Sequence, residues 1–192
     1  RAQRRKCAAG ACSAKSGEIT PFSTALFTSA SATCVTGLVV ADTFSHWTFF
    51  GQSVILLLIQ IGGLGFITIG VTVSILLRRK IGLKERGLIR ESFNIIELRG
   101  MVRLTKRVIC GTLLFELIGA IILSLCFIPK MGFFQGSYYG IFHSVSAFCN
   151  AGFDLMGRYS PFSSLTAYSE HPVVMLTIML LIVIGGIGFI VW

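Results

Sequence analysis

Phe27–Val40 reads FTSASATCVTGLVV, and 115 residues later Phe142–Leu155 reads FHSVSAFCNAGFDL. The two align without a gap: Phe27/Phe142, Ser29/Ser144, Ser31/Ser146, Ala32/Ala147, Cys34/Cys149 and Gly37/Gly152 match. Each copy leads into an apolar run with a second echo, IGGLGFI at Ile61–Ile67 and IGGIGFI at Ile184–Ile190. Two matching blocks in the same order mark an internal duplication, and a duplication sets the architecture.

Each copy has a short stretch of small residues, a glycine-centred loop and a long apolar segment. As a helix, Phe22–Thr33 would reach about 18 Å, little more than half of a hydrocarbon core of about 30 Å. It can enter a bilayer without crossing it. Non-helical backbone at that depth is stable only where protein or water satisfies it. Cys34, Val35, Thr36 and Gly37, with Cys149, Asn150, Ala151 and Gly152, are therefore expected to line a wet path. A half-spanning helix aims its negative C-terminal end at the membrane centre, which favours a cation there. The glycines permit angles that turn carbonyls toward one axis, and carbonyl rings replace the hydration shell of an ion. Asn150 and Ala151 stand where the first copy has Val35 and Thr36. Unequal side chains around a shared glycine suit coordination by the main chain.

Composition points the same way. The chain is 54% hydrophobic and 13% charged, with a mean hydropathy of +0.80. That excludes an ordinary soluble domain and indicates an all-α integral membrane protein in a lipid bilayer. The six cysteines, at 7, 12, 34, 110, 126 and 149, form no CxxC pair and read as free thiols, with no metal cluster and no cofactor. Paired carboxylates and nucleophile motifs are absent from the sequence pattern, which sets a membrane enzyme aside.

Spans are expected at Val54–Leu77, Val108–Ile128 and Val173–Trp192, the last about 20 residues long and uncharged. The glycines of Gly62, Gly63 and Gly65 lack the strand–turn–helix setting of a nucleotide loop. Close packing against the pore loop explains them, with a helix bend as a lesser possibility. Between the first two spans, residues 78–107 carry ten Lys/Arg and three Glu. By the positive-inside rule this loop is cytoplasmic, and both pore hairpins then open outward. Membrane spans at both ends explain its charge better than nucleic-acid binding does. Leu88–Leu98 is expected to lie along the inner surface as an amphipathic helix.

TCVTGLVVADT (residues 33–43) with LIQIGGLGF (58–66) resembles the first pore loop and following helix of the Trk/Ktr/HKT potassium transporter superfamily. FCNAGFDLMG (148–157) and IGGIGFIVW (184–192) resemble its second pore loop and the helix after it. The similarity begins near Gly17 and is greatest to the bacterial Ktr-type (KtrB/TrkH-like) membrane subunit. The resemblance implies four helix–pore-loop–helix repeats around one potassium pore, of which this chain holds two incomplete ones. It also implies a homo-oligomer on a cytosolic nucleotide-binding regulatory subunit. The expected division is a basic head at 1–17, repeat 1 at 18–77 without its first helix, the loop at 78–107, and repeat 2 at 108–192. A truncated start or a disordered basic tail would both explain the head.

Three carboxylates need a role. Asp42 either caps the next turn or attracts cations at the pore mouth. Glu116 is the ionisable residue inside Val108–Ile128. An intramembrane carboxylate is costly, so it braces the pore loops, binds a passing cation, or is a neutral acid bonded to a neighbouring helix. Asp154 follows Gly152 by two and is expected to brace the outer mouth. His143 reads as a packed histidine, His46 with Trp47 as an interfacial anchor, and Tyr138 and Tyr139 as interfacial aromatics. Pro129–Ser137 is expected to be a loop with Gly132 and Gly136 as breakers, followed by a second pore helix at Phe142–Phe148. Residues 157–171 carry about eight residues more than their counterpart, a loop insertion. Potassium uptake is the function expected; a non-transporting structural or partner-binding remnant is the alternative.

Overall fold

The computed structural model describes residues 20–65 and 101–187. The elements are α1 (Phe22–Thr33), α2 (Thr43–His46), α3 (Phe49–Leu64), α4 (Met101–Met131), α5 (Phe133–Phe148) and α6 (Pro172–Ile187). Two 3-10 turns, Met156–Arg158 and Ser164–Tyr168, lie between α5 and α6. No strand occurs among the described residues, and the fold is all-α. Repeat 1 packs α1 on α3; repeat 2 packs α5 between α4 and α6; α3 against α5 joins the two. Residues 1–17, Leu88–Leu98 and most of the basic loop lie outside the described residues.

Helix α1 is rich in hydroxyls, and the helix itself accepts hydrogen bonds from them. Thr28 Oγ1 donates to the Thr24 carbonyl at 2.9 Å and Thr33 Oγ1 to the Ser29 carbonyl at 2.8 Å. The α2–α3 corner is held by caps and one amide. Asp42 caps α2 by accepting from the Ser45 amide, and Thr48 caps α3 by accepting from Gly51. Gln52 Nε2 donates to the Trp47 carbonyl at 3.0 Å. Among the described residues, Thr105–Met131 is long and apolar enough to cross a membrane; α3 and α6 are shorter apolar helices.

Several boundaries differ from the sequence expectations. The first apolar helix starts earlier, at Phe49, and stops at Leu64, where Gly65 takes a φ of +79°. The rest of Val54–Leu77 lies outside the described residues. Helix α4 begins at Met101, inside the expected loop, and continues to Met131 with Pro129 in its last turn. The chain then reverses at Gly132 alone, φ +83°. Gly136 does not break the helix. A side chain there would stand 2.6 Å from the Ile128 backbone nitrogen, so the position serves close approach of α5 to α4. The helix expected at Phe142–Phe148 is therefore 16 residues, Phe133–Phe148, and takes in Tyr138 and Tyr139. Tyr139 is buried in the core, as is Trp47 at 6% exposure. The indole packs with Ile55, Ile59 and their neighbours and does not stand out as a surface anchor.

Candidate functional site

The two loops repeat at the level of backbone angles. Cys34 and Cys149 end α1 and α5 with right-handed angles (φ −83°, ψ 0°; φ −74°, ψ −4°). Val35 and Asn150 are left-handed, φ 55° and 57°, and so are Gly37 and Gly152, φ 75° and 71°. The Val35 amide donates to the Ala32 carbonyl at 3.3 Å and the Asn150 amide to Ala147 at 3.0 Å. One residue on, Thr36 donates to Ser31 at 3.0 Å and Ala151 to Ser146 at 2.8 Å. This is the paired hydrogen bonding of a Schellman helix end. It turns the amides back onto the helix and leaves the carbonyls of the extended segment to other partners.

The two segments lie against each other. A methyl group on Gly37 would stand 2.7 Å from the Ala151 carbonyl oxygen, and one on Gly152 would stand 3.3 Å from the Gly37 Cα. Cys34, Thr36, Asn150 and Gly152 are exposed, Val35, Gly37 and Cys149 half-buried, and Ala151 fully buried. The glycine echoes hold these segments from behind. Gly62 abuts the Thr33 carbonyl and Gly185, its repeat equivalent, the Phe148 carbonyl. Gly63 abuts the Cys149 sulfur, across the two repeats. A cavity of about 220 Å³, with His143, Asn150, Gly152 and Asp154 among its lining residues, flanks the second segment.

A β-branched residue in the left-handed region is strained, by about 1–3 kcal/mol. Asn tolerates that region. Val35→Asn, which copies the repeat-equivalent residue, is expected to raise stability by about 1 kcal/mol; thermal unfolding of the detergent-solubilised protein measures it.

Asp42 is 7% exposed and links the repeats. Oδ2 accepts from the Ser45 amide at 2.8 Å and Oδ1 from the Phe162 amide at 3.2 Å, 120 residues away. The inserted loop of repeat 2 is thus tied to repeat 1, with Gly157 against the same carboxylate. Phe162 and Ser164 hold left-handed angles in that loop, φ 58° and 49°. Asp42→Ala removes a cap, about 1 kcal/mol, and orphans an amide, about 1–3 kcal/mol. A loss of about 2–4 kcal/mol is expected in the same unfolding assay, with Asp42→Asn much milder.

Asp154, two residues after Gly152, accepts at Oδ1 from the Met156 amide at 2.9 Å. Glu116, 5% exposed, faces Gln60 of α3: Gln60 Nε2 lies 3.0 and 3.1 Å from its two carboxylate oxygens. The Cys149 thiol donates to Glu116 Oε1 at 3.8 Å. All three carboxylates are thus held by groups of their own chain. His143 is packed: Nδ1 donates to the Tyr139 carbonyl at 2.7 Å, and Nε2 accepts from the Leu155 amide at 3.4 Å. Thr28, its repeat equivalent, makes the same bond four residues back. Gln60 was not singled out from sequence. Its signal was there: it is the one polar side chain in the apolar run from Val54 to Ile67.

Comparison with known proteins places this geometry in a family. The model of the TrkH family, cation transport proteins, matches residues 5–192. The chain is 42% identical over 178 residues to the potassium/sodium uptake protein NtpJ of Enterococcus hirae, covering 93% of this chain and 38% of that protein. It is 47% identical over 165 residues to the Ktr system potassium uptake protein B of Bacillus subtilis, covering 86% and 36%. With the Vibrio alginolyticus Ktr system potassium uptake protein B the identity is 37% over 165 residues, covering 86% and 35%. The chain thus spans a little over a third of the length of these curated relatives. With a family match along almost its whole length, the chain belongs to the TrkH family of cation transport proteins.

Proposed function

We propose that the chain supplies two of the four strands of a potassium filter, through the main-chain carbonyls of Cys34–Gly37 and Cys149–Gly152. The observation that carries this reading is the matched left-handed pair in each segment, 35 with 37 and 150 with 152, in segments that touch at Gly37 and Gly152. Helices α1 and α5 both end at these segments, so two negative helix ends converge where a cation would be held. The printed names of the relatives, potassium uptake and potassium/sodium uptake, support the choice of ion. Uptake would be driven by the ion gradient and the membrane voltage, about 2.3 kcal/mol per charge per 100 mV.

On this reading the protein is multi-pass in the cell membrane, with residues 78–107 cytoplasmic and the filter loops opening outward. Asp42 and Asp154 hold the outer ends of the strands and Glu116 braces the second from within. A homo-oligomer and a cytosolic nucleotide-binding subunit complete the proposed assembly.

The test replaces the matching segment of the Bacillus subtilis relative with this chain, in a bacterium unable to take up potassium. Radioactive rubidium uptake, resistant to added sodium, is the expected result. A graft that reaches the membrane and takes up no rubidium favours the alternative, a segment serving only structure or partner binding.

A further inference from the structure

Glu116 is a carboxylate set inside the long apolar helix α4. Its environment is built from both repeats. Gln60 Nε2 lies 3.0 Å from one carboxylate oxygen and 3.1 Å from the other. The Cys149 thiol points at Oε1 from 3.8 Å. Ser144 Oγ donates to the Glu116 main-chain carbonyl at 2.7 Å, which pins α5 to α4 at the same level. On its other side the Cys149 sulfur rests on Gly63, one turn along α3 from Gln60. The first residue of the second filter segment is thereby boxed between α3 and α4.

The duplication makes this arrangement informative. The position equivalent to Gln60 in repeat 2 is Val183, an apolar residue. The amide at this place is thus not common to the two repeats, and in this chain its partner is Glu116. The root of one filter segment is thus tied to the other repeat by an amide, a carboxylate and a thiol.

We propose that Gln60 and Glu116 are a positioning pair that fixes the root of the second filter segment and so sets how strongly the pore prefers potassium to sodium. The inference rests on the filter reading above. A carbonyl ring discriminates between ions only while its oxygens keep their places. In a water-poor interior a carboxylate that loses its amide partner seeks another, and Cys149 is the next donor.

The test uses the same graft with Gln60→Leu, and with the exchange of Gln60→Glu and Glu116→Gln together, which restores an amide–carboxylate bond in reverse. The readouts are the amount of protein in the membrane and the sodium concentration that halves rubidium uptake. With Gln60→Leu that concentration is expected to fall about fivefold, the scale of one hydrogen bond between membrane helices, at unchanged protein amount. The exchange is expected to bring it back within about twofold. Sodium sensitivity unchanged by Gln60→Leu overturns the inference. So does an exchange variant that reaches the membrane in normal amount but stays as sodium-sensitive as Gln60→Leu. Should Gln60→Leu fail to accumulate, the exchange variant alone decides, by the same criterion against the unsubstituted graft. An unsubstituted graft with no rubidium uptake sinks the filter reading itself; a selective graft unmoved by these changes sinks only the pair.

Discussion

A single methyl group on Gly62 or Gly185 is expected to abolish rubidium uptake by the graft and to lower its amount in the membrane at least tenfold. In a helix, Gly→Ala ordinarily stabilises by about 1 kcal/mol. Here the added carbon would fall inside contact distance of a main-chain carbonyl, that of Thr33 or of Phe148. Neither carbonyl can swing aside without unwinding the end of α1 or α5. Overpacking of a rigid site costs about 1–3 kcal/mol and at times more, so the clash outweighs the gain in helix propensity. Because the two glycines occupy equivalent places, the two defects should be of equal size. Gly65→Ala is the control. Among the described residues nothing lies within 4 Å of a Cβ added there, and its φ of +79° opposes a side chain. Its effect should be confined to about 1–2 kcal/mol of backbone strain. Immunoblots of membranes beside rubidium uptake separate lost protein from lost function.

The second large effect lies in the proposed filter, and it should be unequal between the copies. Gly37→Ala meets two obstacles: a φ of +75° and a carbonyl oxygen, that of Ala151, at 2.7 Å. Gly152→Ala meets a φ of +71°, but its nearest neighbour is the Gly37 Cα at 3.3 Å, which a small shift relieves. The strain of the left-handed angle, about 1–2 kcal/mol, is common to both. The Gly37 clash must also displace one of the oxygens assigned to the ion. The ratio of potassium to sodium uptake is expected to fall about tenfold for Gly37→Ala, for an added cost near 1.4 kcal/mol, and severalfold less for Gly152→Ala. Equal losses in the two variants would show that strain alone acts.

Much of this structure was legible because the duplication states it twice. Matching residues at 27–40 and 142–155 led to the same hydrogen bonds and to backbone angles within about ten degrees. Close packing is expected from sequence at Gly62, and both it and its echo Gly185 pack on equivalent carbonyls. What could not be read depends on register between distant segments. Gly132 and Gly136 look alike in sequence, yet one reverses the chain and the other lets two helices touch, a choice made by Ile128 across the hairpin. Trp47 has the composition of an interfacial anchor, but the α2–α3 corner folds it inward. The Asp42 link to Phe162 joins a cap to an inserted loop that has no counterpart in the first repeat. The Gln60–Glu116 contact needs the relative rotation of two helices, which no single periodicity contains.

The central proposal is that two main-chain segments, related by duplication, hold one dehydrated cation between them. Anomalous diffraction from rubidium, in crystals of the full-length graft grown with that ion, tests it most directly. Density on a common axis within coordinating distance of carbonyls from both 34–37 and 149–152 is the expected result. Rubidium bound elsewhere, or an axis reached by the carbonyls of neither segment, would contradict it.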